Sequence, residues 1–67
     1  MNHITAGIDS MRVEAMAIQA EVDGANAENK QREINGESMA YAKDYFDEQA
    51  EKLWGIANSI LIAARNL

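Results

Sequence analysis

The side chains with the clearest chemical potential are four acidic residues in the second half of the chain: Asp44, Asp47, Glu48 and Glu51. Steps of three, four and seven residues from the first of them place all four on one face of a helix. Such a face favours either a divalent cation or a basic protein surface. Lys43 and Lys52 flank it, and local pairing with lysines is typical of a solvated helix face. We interpret the stripe as surface charge, keep an acidic docking face as the alternative, and predict no metal site.

The sequence offers no set of residues for catalysis. Its single histidine is His3, there is no cysteine, and the three serines have no base near them in the chain. A Ser-His-Asp arrangement is therefore not expected, and neither is a cysteine-based zinc site. The four glycines are scattered, so no phosphate-binding loop is present. We predict that the protein is not an enzyme and that it uses no cofactor.

Composition narrows the classes of partner. The chain has 67 residues, 11 of them acidic and 6 basic, with a net charge of −5. An acidic surface is a poor match for nucleic acid or for an anionic membrane. The longest apolar run, residues 60–64, is far shorter than a membrane span, and no basic segment followed by an apolar core suggests a secretory signal. We therefore expect a cytoplasmic protein whose partners are proteins.

Two stretches of the chain carry apolar residues at helical spacing. In the first, steps of four and three residues run through Ile4, Ile8, Met11, Ala15, Ile18, Val22 and Ala25. In the second, a seven-residue series contains Met39, Phe46, Leu53, Ile60 and Leu67, with Ala42, Ile56 and Ala63 beside it. Both patterns predict amphipathic helices.

The dipeptide Asn35-Gly36 is the best turn signal between these stretches, and Ser38 after it is a candidate N-cap. We predict an all-α antiparallel hairpin with helices over about 4–35 and 38–66, in a single domain covering 1–67. The heptad phase is unbroken through the turn, so one long continuous coiled-coil helix is the alternative. The hairpin is favoured by Gly24, by Gly36 and by polar residues such as Asn29 at the periodic, otherwise apolar positions, which we call the seam.

The apolar face of the second helix is too broad for one neighbouring helix to cover. Five residues are predicted to form a protein interface: Tyr41, Tyr45, Trp54, Ala57 and Leu61. A chain this short buries only about 60% of its unfolded surface, and no disulfide compensates. We therefore predict self-association, as a homodimer that forms a four-helix bundle or as a higher oligomer.

These features are typical of a small acidic interaction module that binds or blocks a larger protein, in the manner of inhibitors and adaptors encoded by phages or plasmids. A second interpretation is a structural subunit or small helical chaperone of a larger assembly such as a secretion apparatus or filament. In size and two-helix layout the chain resembles the needle subunits of type III secretion and their small helical co-chaperones. Unlike the needle subunits, it has no proline in its turn.

Overall fold

The computed structural model describes residues 3–66, which form two helices joined by an eight-residue connection. Helix α1 spans His3–Ile34 and helix α2 spans Lys43–Ala64. The helices contact each other as a hairpin with extents of 52 × 19 × 9 Å. The predicted all-α hairpin is thus confirmed, and the continuous helix is excluded. Neither helix within the described residues is both long and apolar enough to cross a membrane.

Helix α1 uses the predicted side to meet α2. Every residue of the series from Ile4 to Ala25 is buried or half-buried, with Ile8 and Ala25 the most deeply covered. The same side continues through Asn29 and Arg32, which are also half-buried. The alternation of four- and three-residue steps keeps these positions on one side of a helix, which explains the match.

Helix α2 follows its predicted seam only from Phe46 onward. The covered residues from there are Phe46, Gln49, Leu53, Ile56, Ile60 and Ala63. Met39, which the heptad pattern placed in the same seam, is 72% exposed, so that prediction is wrong. Leu67, the last member of the series, lies outside the described residues.

The end of α1 has the predicted glycine turn. Gly36 has a φ of 75°, the left-handed conformation that glycine adopts without a steric penalty. The amide of Gly36 donates to the carbonyl of Glu33 at 3.1 Å, and that of Glu37 donates to the carbonyl of Arg32 at 2.8 Å. This pair of bonds is the Schellman motif, which satisfies carbonyls that the helix end leaves without partners.

Helix α2 begins five residues later than predicted, and the side chain of Asn29 explains the delay. Its Oδ1 accepts hydrogen bonds from the amides of Ala40 and Tyr41 at 3.1 and 3.0 Å, and its Nδ2 donates to the Tyr41 carbonyl at 2.8 Å. These bonds hold residues 40 and 41 outside the helix. The N-cap is Ala42 in an extended conformation without a side-chain cap bond, so the predicted cap at Ser38 is wrong.

The hairpin has a thin core. Ile8 and Ala25 are its buried apolar residues, and Gln49 is a buried polar one; no side chain among the described residues is fully buried. The accessible surface is 5123 Å², whereas a compact monomer of 7.4 kDa would expose about 4,200 Å². Each helix has one neighbour, so much of its surface has nothing to pack against.

Candidate protein-interaction surface

The four acidic side chains of α2 are solvated, and two of them pair locally with lysines, as is typical of a helix surface. Asp47 forms an ion pair with Lys43, and Glu48 forms one with Lys52 at 3.6 Å. All four acidic side chains are exposed. Within residues 3–66, no group of three or more His, Cys, Asp or Glu side chains is placed to hold a metal ion. Ion pairs at such exposed positions contribute about 0.3–0.5 kcal/mol each, so this stripe adds charge rather than structure.

A second apolar row runs along α2 beside the seam. We call it the Trp54 face, and it consists of Ala50, Trp54, Ala57 and Leu61. Steps of four, three and four residues keep the row on one side of the helix, about 100° around from Leu53 in the seam. Trp54 is 75% exposed and Leu61 is 53% exposed, while both alanines are also exposed. The side chains of Trp54 and Leu61 are thus exposed to water, whereas the adjacent side of the same helix is covered by α1.

The two tyrosines of the predicted interface lie elsewhere. The rings of Tyr41 and Tyr45 are 4.7 Å apart between centroids, and Tyr45 makes an edge contact with Phe46 at 5.2 Å. Both tyrosines are half-buried. Tyr45 precedes Trp54 by nine residues, which is about two and a half helical turns and therefore the opposite side of α2. The structure divides the five predicted residues into an aromatic cluster near the turn and the exposed Trp54 face.

Helix α1 has an exposed apolar row on the side that faces away from α2. We call it the α1 outer face, and it consists of Val13, Ala20, Ala27 and Ile34, spaced seven residues apart. Val13 is two residues from Met11 and from Ala15, so it lies about 200° around the helix from the seam. Met16 lies beside this row and is exposed as well. The hairpin therefore presents apolar side chains on two separate surfaces.

The turn end contains a cleft of about 590 Å³ between the last turns of α1 and the connection. Its lining includes Asn29, Lys30, Glu33 and Met39. The Asn29 amide, the most covered of these polar groups, is already occupied by the backbone of the connection. Sequence reasoning missed this role of Asn29; the signal for it was an amide at a seam position where an apolar residue is expected.

Comparison of the chain with protein-family models, with curated proteins and with solved structures finds no match. The chain's own surfaces are therefore the basis for assigning it a function.

Proposed function

We propose that this protein is a non-enzymatic, cytoplasmic interaction module that associates with a second copy of itself and binds or blocks a larger protein. The observation that carries the proposal is the exposure of Trp54 and Leu61 on one side of α2, next to a core in which Ile8 and Ala25 are the only buried apolar residues among those the structure describes. Exposed apolar side chains in a continuous row mark contact sites, and tryptophan is among the residues most enriched at the centres of interfaces.

Surface area supports association. The chain exposes about 900 Å² more than a compact monomer of its mass. A typical stable interface covers about 800 Å² on each partner. The excess surface is thus of the size that one partner would cover, and a symmetric homodimer is the commonest arrangement for a soluble oligomer.

The α1 outer face supports a further, foreign partner. It lies on the opposite side of α1 from α2, so an interface that covers the Trp54 face can leave Val13 and Met16 accessible. A chain with a net charge of −5 favours a partner with basic residues around an apolar patch. Mechanistically, the module would act by covering that patch.

A structural subunit of a larger assembly is the second candidate function. The feature that favours it is the presence of two apolar surfaces, one on each helix. If both surfaces bound further copies, each copy would have two neighbours and the assembly would continue to grow instead of closing. An average mass from light scattering that rises with protein concentration beyond that of a dimer would support this candidate, whereas a fixed dimer mass would contradict it.

Sedimentation equilibrium at micromolar concentration tests self-association. We expect the wild-type chain to sediment as a dimer, and we expect Trp54→Ala to raise the dissociation constant by a factor of about 30 or more, as for an interface hot spot. Met39→Ala is the matched control, because Met39 is 72% exposed, close to the 75% of Trp54, but lies in the connection. A wild-type chain that remains a folded monomer at micromolar concentration would contradict the self-association part of the proposal.

Affinity capture with the tagged chain as bait tests the foreign partner. We expect one protein to be retained by wild type and lost with a Val13→Ser, Met16→Ser double variant whose dimer mass is unchanged. Retention of the same protein by that variant would show that the α1 outer face is not its binding site.

A further inference from the structure

The Trp54 face alternates small and large side chains in a way that is nearly self-complementary. Its order along α2 is Ala50, Trp54, Ala57, Leu61. Two copies of this row can be placed antiparallel, with the two-fold axis between Gly55 and Ile56. Trp54 of one copy then lies level with Ala57 of the other. The same operation brings Leu61 level with Ala50. Each large side chain then meets a small one, which is how close-packed contacts fill space.

We propose that two copies of this chain bind through antiparallel α2 helices in this register, with each indole seated over Ala57 of the second copy. The proposal rests on the self-association put forward above and specifies its surface and direction. A parallel pair would instead set Trp54 against Trp54 and Ala57 against Ala57, which crowds one level and leaves a void at the next. Alanines at two levels also allow the helix axes to approach toward the short end of the usual range of about 8–10 Å.

Charge on the outer flank of the row supports the same direction. Arg65 follows Asp47 by 18 residues, about five full turns, so both lie on the same flank of the Trp54 face. In an antiparallel pair, this flank of one helix faces the same flank of the other. The proposed register brings Arg65 level with Phe46 of the second copy, one residue from Asp47, so that the two opposite charges lie near each other. Arg65 has no ion pair among the described residues of its own chain. In a parallel two-fold pair, this flank would instead face the opposite flank of the second helix, so Arg65 and Asp47 of the two copies would lie on different sides of the interface and could not pair.

The surface that this arrangement covers is the one that the hairpin leaves without a neighbour. The Trp54 face lies about a quarter turn from the seam, so α2 would contact α1 on one side and α2 of the second copy on the next. Each helix of a four-helix bundle has neighbours on two such sides. The α1 outer face stays at the periphery of the dimer, accessible to another protein.

Engineered disulfides test the register, because the natural chain contains no cysteine. One copy carries Ala50→Cys and the other carries Leu61→Cys, and the mixture is oxidised under mild conditions. We expect the mixed disulfide to exceed either self-linked product by roughly tenfold, since in the proposed register positions 50 and 61 are level and two copies of position 50 are about 16 Å apart along the axis. Intact mass separates the three products, and Asp44→Cys, on a side of α2 away from the row, is the background control.

Three results would overturn the proposal, and they differ in what else they overturn. Predominant self-linked products would show a parallel pair. A dimer by sedimentation without any of these links above background would show that another surface is used. In both cases self-association itself stands. A wild-type chain that sediments only as a monomer would overturn the register and the self-association together.

Discussion

The turn end of the hairpin and the Trp54 face both carry aromatic side chains, but these side chains differ in how far other residues of the same chain contact and cover them. At the turn, Tyr41 and Tyr45 contact each other, and the backbone of the connection is bonded to Asn29. Along the Trp54 face, the indole is 75% exposed with no ring or hydrogen-bond partner among the described residues. The difference indicates that the turn sets the fold, while the Trp54 face is the surface that we propose for association.

Removing the Asn29 amide should have the largest effect on folding stability. Asn29→Ala deletes three hydrogen bonds to the connection, and at about 1 kcal/mol for each net bond we expect a loss of about 3 kcal/mol. Urea unfolding followed by circular dichroism, at one fixed protein concentration, measures it. Asn26→Ala is the control, because Asn26 is exposed in the same helix and its side chain makes no hydrogen bond within the described residues. Equal losses in the two variants would show that the turn does not depend on Asn29.

Filling a small position of the Trp54 face should have the next largest effect, on association and not on the hairpin. Ala57→Leu places a bulky side chain where the indole of the second copy is proposed to sit, and overpacking of this kind costs about 1–3 kcal/mol. We expect a weaker dimer in sedimentation equilibrium and an unchanged helix content. Leu53→Met is the control within the seam, since it conserves volume and costs less.

Tighter association of Ala57→Leu would contradict the proposed contact, because an open surface gains affinity from an added apolar side chain. The contribution of Trp54 to association is measured separately, by Trp54→Ala.

Gly36 tests the turn end again, at a smaller scale. Its φ of 75° costs about 1–2 kcal/mol for a residue with a β-carbon, so Gly36→Ala should destabilise by about that amount. Gly36→Asn should cost less, because asparagine tolerates the left-handed conformation better than alanine does. Thermal unfolding of the two variants measures the difference. If alanine were tolerated as well as asparagine, the left-handed turn would not be required for the hairpin.

The seam was predictable from the sequence because it depends on local periodicity. Residues from Ile4 to Ala25 share one side of α1 whatever they pack against, and the same reasoning held for α2 from Phe46 onward. Gly36 was predictable for a similar reason, since a left-handed residue after a helix is most often glycine.

The start of α2 was not predictable in the same way. The heptad pattern continues back to Met39, and only a contact between Asn29 and residues 11 or 12 positions later removes that segment from the helix. Such contacts between a side chain and a distant backbone have no periodic signature. The separation of Tyr45 from Trp54, by contrast, followed from their nine-residue spacing. Sequence reasoning placed both in one interface because both lie beyond what a single neighbouring helix can cover.

Gly24 gives the smallest effect and extends the comparison to the α1 outer face. It lies inside α1, is exposed, and an added β-carbon there would meet no atom within 4 Å. Gly24→Ala should therefore stabilise the protein by about 1 kcal/mol, since glycine has the poorer helix propensity. Gly55→Ala is the matched control in α2, where the space is equally open and the position lies away from the Trp54 face. Thermal unfolding at matched concentrations should show similar gains for both. A loss of stability at Gly24 alone would mean that another copy packs closely against α1, which would favour the open assembly over the closed dimer.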